Sequence, residues 1–159
     1  MNAPVAALWR RYLATLDDAH PHRVLAPEVF GFGDSAELAD QLADLVLAGV
    51  KRATTSLAIE FTAVGDRLPS AGDVCIVLRG NGLPVAVIER IAVVERPFGE
   101  VDEAFAAIEG EGDGSLASWR ADHCAYFRRV CARHGGRFDE HTSVLCQRFE
   151  VIWRDAPSV

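Results

Sequence analysis

Two stretches near the start of the chain have apolar residues at helical spacing. From Pro4 to Ala19 an apolar residue recurs every third or fourth position, and a proline suits a first helical turn. The second stretch follows Asp34, which can cap a helix, and ends before Gly49, which fits the left-handed backbone that closes one. The pattern predicts two amphipathic helices, the first ended by residues 20–22, with a loop that carries residues 30–33 before the second.

Valine and isoleucine dominate the next two apolar runs. Asp73–Leu78 and Pro84–Val94 flank the turn sequence Arg79-Gly80-Asn81-Gly82, which is typical of a β-hairpin. A short helix, a long helix and a last strand are predicted after it, over Val101–Ile108, Ser115–His134 and Val144–Trp153. Helices of unequal length around a central hairpin favour an α+β fold over regular βαβ winding.

Length and composition restrict the class of protein. A chain of 159 residues is the usual size of one domain, and 50% of its residues are hydrophobic. No apolar run approaches the roughly 18 residues that cross a bilayer, and the first ten residues lack the features of a signal peptide. We therefore expect a cytoplasmic protein without a membrane partner. The four widely spaced cysteines are expected to be buried thiols.

The net charge bears on nucleic-acid partners. At −7 the chain lacks the basic footprint that tight binding to long nucleic acid requires, because phosphate contacts supply most sequence-independent affinity. A local pocket for a single nucleotide remains compatible with this charge.

The segment Gly49-Val50-Lys51-Arg52-Ala53-Thr54-Thr55-Ser56 resembles the Gly-x-Lys-x-x-Thr signature of ASCH domains. Other segments match a longer-helix subgroup of that family in the same order along the chain: Phe32-Gly33-Asp34, Leu68-Pro69, Gly72-Asp73, Pro97-Phe98, Glu109-Gly110-Glu111-Gly112-Asp113, Ser115-Leu116, Trp119-Arg120, His123 and Val144–Trp153. The resemblance implies an ASCH domain over residues 28–159. Residues 1–27 would then be an N-terminal helical extension packed on the core.

The resemblance also implies a fold and a set of activities. The fold would be PUA-like, a small curved β-barrel with flanking helices and a cleft at one side. Relatives have been linked to RNA binding, to ribonuclease activity and to an amidohydrolase that removes the acetyl group of N4-acetylcytidine. In the amidohydrolase a lysine and a threonine of the signature act with a glutamate. By position these are Lys51, Thr54 and Glu111, with Glu109 as the competitor for the glutamate, while Ser56 replaces an arginine of the common signature.

Lys51 has two interpretations from its position. Just past a helix C-terminus, a solvated lysine would complement the helix dipole. Alternatively, burial or the neighbouring Arg52 would favour the neutral amine, which is the form that acts as a base or nucleophile. In an extended segment Lys51 and Thr55 share one face, so pairing Lys51 with Thr54 requires a bend between them.

The acidic loop has four interpretations. Asp113 or Ser115 could cap the long helix. The loop could also be flexible and solvated, without a role in a site. Glycines beside Glu109 and Glu111 could instead bring a carboxylate close to Lys51, where it would exchange protons and hold a water. Carboxylates also suit a hard divalent cation, but the spacing matches no known cation loop, so we expect no metal and no cofactor.

Trp119 and His123 lie on one face of the long helix, either as core residues or as the lining of a cleft. In the cleft Trp119 could stack on a base and His123 could contribute a proton. Substrate contacts are accordingly expected from these residues: Arg52, Thr55, Ser56, Glu109, Trp119 and His123.

Three functions remain open. The first is a hydrolase of a modified nucleoside or small amide, with Lys51 as base or nucleophile beside Thr54 and Glu111. The second is an RNA-binding or regulatory module without catalysis, and the third is a ribonuclease that a metal could assist. The expected partner is a nucleoside or a short single-stranded RNA. The N-terminal helix allows either a monomer or a homodimer.

Overall fold

The structure is a computed structural model that describes residues 1–155. Within these residues lie five α-helices: α1 (Ala3–Leu13), α2 (Ala36–Leu47), α3 (Ile59–Thr62), α4 (Glu103–Glu109) and α5 (Leu116–Arg133). Five strands form one sheet: β1 (Glu28–Gly31), β2 (Ala53–Ser56), β3 (Val74–Leu78), β4 (Pro84–Pro97) and β5 (Ser143–Arg154). Short 3-10 helices cover Pro21–Val24 and Phe98–Glu100. No helix in the described range is both long and apolar enough to cross a membrane.

The strand order in the sheet is β1-β3-β4-β5-β2. Strands β3 and β4 pair antiparallel, which confirms the predicted hairpin, and β2 pairs antiparallel with β5. Strand β1 pairs parallel with β3 and lies partly where a loop was predicted. The loop prediction was wrong because four residues containing a glycine are too few to show a period of two. The mixture of helices and a largely antiparallel sheet confirms the α+β class.

Two compact units divide the chain, and each has its own core. The first unit comprises residues 1–49, 71–91 and 149 onward. In it, buried side chains of α1, among them Leu8 and Trp9, pack against Ile76 and Val87 of the sheet. Helix α1 ends at Leu13, six residues before the predicted end. Acidic residues 17 and 18 explain the early end, since negative charge is unfavourable at a helix C-terminus.

Helix α2 begins one residue later than predicted. Its N-cap is Ser35, whose hydroxyl accepts a hydrogen bond from the Leu38 N–H, so the assignment of Asp34 as the cap was wrong. Both residue types cap well, and the pattern alone does not separate neighbours. Gly49 has a φ of +73°, as its predicted closing position requires.

The second unit comprises residues 50–70 and 92–148, and it holds every predicted site residue. Aromatic side chains of α5 and the segment before α4 fill its core, with Phe98, Trp119 and Phe127 at the centre. Ser115 caps α5 by accepting from the Ser118 N–H, one of the two predicted caps. This core places the last turn of α4, the first turns of α5 and the start of β2 side by side.

The cysteines carry no disulfide. Cys75, Cys131 and Cys146 are buried as expected, and Cys124 is half-buried. Burial raises the pKa of the Cys75 thiol to about 12 and that of Cys146 to about 11, so both remain protonated at neutral pH.

Candidate functional site

Lys51 follows α2 in the chain and is separated from β2 by one residue, and its side chain is completely buried, with 0% exposed. It is also the only lysine among the 16 lysine and arginine residues of the chain. Its Nζ donates to the carbonyl oxygen of Ala53 at 2.9 Å and to the carboxylate of Glu111. A carboxylate oxygen of Glu109 lies 3.7 Å away. Of the two interpretations from sequence, the solvated lysine is therefore wrong.

Glu109 is the last residue of α4 and has only 1% of its side chain exposed. Its Oε2 accepts from the Thr55 hydroxyl at 2.9 Å and from the indole N–H of Trp119 at 2.7 Å. Its Oε1 lies 2.9 Å from Nε2 of His123 and faces Lys51. Thr55 and Trp119 donate to this carboxylate, and the Lys51 amine and the His123 ring can each present an N–H to it, which is the arrangement that a buried negative charge needs.

The surroundings of Glu109 decide its protonation. Burial alone would raise the pKa of its carboxyl group, but the charge of Lys51 and the hydrogen bonds from His123 and Trp119 outweigh it and lower the pKa to about 2. Glu109 is therefore ionised throughout the physiological pH range.

Glu111 is the member of the cluster that solvent reaches. It follows Glu109 in the acidic loop, pairs with Lys51 and keeps 22% of its side chain exposed. Asp113 turns away to accept from the Ser115 N–H next to the α5 cap. The end of α4 therefore supplies one buried carboxylate, and the loop after it one accessible carboxylate, to the same amine.

Gly110 makes this division of the two glutamates possible. Its φ is +70°, and a Cβ at this position would lie 2.6 Å from the carbonyl oxygen of Val50. The chain can reverse between Glu109 and Glu111, against the segment that holds Val50 and Lys51, only without a side chain there.

We expect Gly110→Ala to lower the free energy of unfolding by more than the roughly 1–3 kcal/mol of left-handed strain, because the clash with Val50 adds to it. Gly114→Ala is the matched control, since Gly114 has a φ of +77° but nothing within 4 Å of an added Cβ. Urea unfolding of both variants measures the difference. Equal losses in the two would contradict the close approach.

Side chains in the segment from Lys51 to Ser56, which includes β2, alternate strictly between two faces. From Lys51 to Ser56 buried positions alternate with more exposed ones, and β2 pairs with β5 in continuous register. Thr55 thus shares the side of Lys51 and is bound to Glu109, whereas Thr54 is half-buried on the other face. The bend expected between Lys51 and Thr54 is not present. The amine still reaches the Ala53–Thr54 peptide through the Ala53 carbonyl.

The remaining predicted contact residues lie outside the charged cluster or within the core. Arg52 is exposed, and the Ser56 hydroxyl accepts from the side-chain amide of Gln147. Trp119 is buried, and its ring stacks on Phe98, with 5.2 Å between ring centroids, and on His123 at 4.3 Å. Of its two interpretations, this geometry favours core packing, because a buried ring with two stacking partners is not open to a base.

His123 contacts both the indole of Trp119 and the carboxylate of Glu109, and 8% of its surface is exposed. Its Nδ1 is 2.9 Å from the carbonyl oxygen of Trp119, and its Nε2 is 2.9 Å from Glu109. Burial acts to lower the pKa of the imidazole, but the hydrogen bond to Glu109 and the charges of Glu109 and Glu111 outweigh it, so the pKa is raised.

A metal ion is one further use for this cluster. Glu109, Glu111 and His123 each offer a ligand-type atom, and these atoms lie within 4.8 Å of one another. In this arrangement, however, the amine of Lys51 lies at both carboxylates, and Nε2 of His123 is directed at Glu109. A metal would have to displace Lys51 and turn the imidazole, so the donor set does not fit a resident ion.

The central position of Glu109 was the main feature that sequence reasoning missed. A signal was present, because Glu109 lies four residues after Phe105 and three after Ala106, on the buried face of α4. A charged residue on that face needs partners. The single lysine of the chain was a second signal, because it singles out Lys51 by composition alone.

Comparisons with known proteins agree with the fold. A family model described as the ASCH domain matches residues 28–153. The solved ASCH domain from Lactobacillus crispatus JV V101 is 30% identical, with a TM-score of 0.91 and 97% of each chain covered. Protein EF3133 from Enterococcus faecalis V583 is 33% identical, with a TM-score of 0.83 and coverage of 96% of this chain and 90% of that one. A search of curated proteins gave no match. These likenesses confirm the predicted PUA-like fold.

Proposed function

The chain belongs to the ASCH domain family, and from that premise we propose that it is a hydrolase of a small amide on a modified nucleoside, of the N4-acetylcytidine type. The observation that carries the proposal is the pairing of the buried amine of Lys51 with Glu111, the carboxylate that solvent reaches. Lys51 and Glu111 form the working pair, and Thr54 is the third candidate, as the family signature implies.

The exposures of the two partners support a division of roles. With 22% of its side chain exposed, Glu111 can hold a water, whereas Lys51, at 0%, meets substrate only through its neighbours. This supports giving Glu111 the role of general base that the sequence alone gave to Lys51. A positioned acid or base of this kind contributes typically 10²–10⁴-fold to a rate.

The chemistry then balances with the groups present. Glu111 takes a proton from water as the water oxygen bonds to the acetyl carbonyl carbon. The bond between that carbon and N4 breaks, and N4 receives a proton that the Lys51–Glu111 pair supplies. The products are cytidine, with N4 as a free amine, and acetic acid, which releases its remaining proton to solvent and leaves as acetate. Thr54, half-exposed beside the Ala53 carbonyl that Lys51 binds, would donate its hydroxyl to the carbonyl oxygen of the substrate.

The charges of the cluster favour this substrate over RNA. One ammonium faces two carboxylates, so the amine has no surplus positive charge to offer a phosphodiester. A ribonuclease or an RNA-binding surface would need uncompensated cations at this place. A neutral amide requires none.

The test is an assay of purified protein on N4-acetylcytidine and on a short single-stranded RNA, each with and without a chelator. We expect release of cytidine that the chelator does not change, and a loss of at least about 100-fold in Glu111→Gln. Glu103→Gln, an exposed position on the same helix as Glu109, is the control and is expected to match the wild type. Comparing Thr54→Ala with Thr55→Ala shows which of the two hydroxyls takes part in turnover. We expect Thr54→Ala, and not Thr55→Ala, to slow turnover without loss of the fold.

Three outcomes would replace the proposal. Release of cytidine that persists in Glu111→Gln would remove the assigned base. Cleavage of RNA that requires a divalent cation would favour a ribonuclease. Retention of RNA without turnover of either compound would favour a binding module.

A further inference from the structure

We propose that His123 is a buried imidazolium. Its positive charge pairs with Glu109, so that the amine of Lys51 binds Glu111 instead. His123 is then a positioning residue rather than a catalytic one. The proposal rests on the proposed function only in its last step, the benefit to the pair of Lys51 and Glu111.

The first support is the nature of the atoms that the two ring nitrogens face. Nδ1 lies 2.9 Å from the backbone carbonyl oxygen of Trp119, which can only accept a hydrogen bond. Nε2 lies 2.9 Å from Oε1 of Glu109, and an ionised carboxylate also only accepts. A neutral imidazole has one N–H and one lone pair, so it would direct its lone pair at one of these oxygens. Only the imidazolium satisfies both contacts.

The second support is the number of donors that already surround Glu109. Its Oε2 accepts from Thr55 and from Trp119, and Lys51 faces its Oε1. A proton on Glu109 would turn this acceptor into a donor in a ring of donors. The proton between Glu109 and His123 therefore belongs on the imidazole.

The third support is the charge balance of the buried cluster. The charged groups near His123 are Glu109 at the end of α4 and Glu111 in the loop after it, and both carboxylates pair with Lys51 from the segment before β2. With a neutral imidazole the cluster would carry a net negative charge in a poorly solvated place. With an imidazolium two cations balance two carboxylates, which removes the large cost of an uncompensated buried charge.

The consequence concerns which of the two carboxylates the amine of Lys51 binds. Lys51 lies 3.7 Å from Glu109 and closer to Glu111, although Glu109 is the more deeply buried charge. Because the imidazolium and the indole already neutralise and bind Glu109, the amine is directed to the accessible carboxylate. Without the charge of His123, the amine would be drawn towards Glu109.

The decisive experiment is NMR of the wild-type protein with ¹⁵N-labelled histidine. The chain has five histidines, and His123→Gln assigns the signal of interest, while His134→Gln at the exposed end of α5 is the control. We expect both ring nitrogens of His123 to be protonated at pH 7.5, above the roughly 6.5 at which an unperturbed imidazole loses its proton. A single N–H on this ring at pH 7.5 would overturn the proposal.

A second readout uses the single lysine. Labelling with ¹⁵N-lysine gives one side-chain signal, from Lys51. Glu109→Gln is expected to lower the pKa of His123, and His123→Gln is expected to shift the Lys51 signal, whereas His134→Gln leaves it unchanged. An unmoved Lys51 signal in a folded His123→Gln protein would show that His123 does not position the amine.

These measurements need no substrate, so they separate the two proposals. An imidazolium in a protein that turns over no amide would uphold this inference and remove the proposed function. Turnover with a neutral His123 would do the reverse. Where both hold, His123→Gln is expected to lower kcat with little change in KM and to alter the pH profile, whereas a merely structural loss would reduce active protein without moving that profile.

Discussion

Lys51→Met is expected to abolish measurable turnover of N4-acetylcytidine and to lower the free energy of unfolding by about 3–5 kcal/mol. Methionine matches the length of lysine but carries no charge, so Glu109 and Glu111 lose the ammonium that they share. Removing one partner of a buried ion pair is costly because the other charge stays buried and uncompensated. Urea unfolding and the release of cytidine measure the two effects separately.

Arg133→Met is the matched control for this change. Arg133 is exposed near the end of α5, and loss of its charge is expected to alter stability by no more than about 0.5 kcal/mol. Wild-type stability in Lys51→Met would mean that the amine contributes nothing to the buried cluster. Turnover in that variant would mean that the reaction proceeds without it.

Glu109→Ala is expected to destabilise the protein at least as much as Lys51→Met, by about 3–5 kcal/mol or more. The change leaves the donors of Thr55, Trp119 and His123 without their shared acceptor, and it leaves two cations facing one carboxylate. For a chain of this size each kcal/mol moves the thermal midpoint by about 2–4 °C. The melting temperature should therefore fall by on the order of 10 °C.

The pH dependence of stability identifies the cause. The folded pKa of Glu109 is about 2, below the roughly 4.3 of an unfolded glutamate, so its contribution is present above about pH 4.3 and is lost as pH falls towards 2. The folded pKa of His123 is raised, so its contribution is complete below about pH 6.5 and is lost as pH rises through the folded pKa. In Glu109→Ala, the free energy of unfolding should depend less on pH, both in the acidic range set by Glu109 and in the higher range set by His123. Glu111→Gln should reduce this dependence much less, because Glu111 is partly solvated.

The sequence predicted the elements whose boundaries depend on local chemistry. Ser115 at the start of α5 and Gly49 after α2 follow from the backbone that their residue types favour. The hairpin of β3 and β4 follows from its turn residues. Strand β1 could not be predicted in this way, because its pairing with β3 is a contact distant in sequence.

The site was predictable to a similar depth. Lys51 and Glu111 were named from the family signature and the acidic loop, and the structure pairs them. The network around Glu109 could not be foreseen, because its partners come from β2, the segment before β2 and α5, and only the packing of these elements against α4 decides which face is buried. The choice between Thr54 and Thr55 likewise depends on the register of an edge strand with β5.

The chain has one lysine, and its side chain is buried in the candidate site. Cleavage after this lysine therefore measures how often the site opens. An endoprotease that cuts only after lysine has a single target bond, between Lys51 and Arg52. The amine that the protease must recognise is out of its reach in the folded state, so cleavage requires the cluster to open. When opening is fast relative to cleavage, the rate of cutting follows the population of the opened form. Ligands that close the site would then be found by the protection they give, before their chemistry is known.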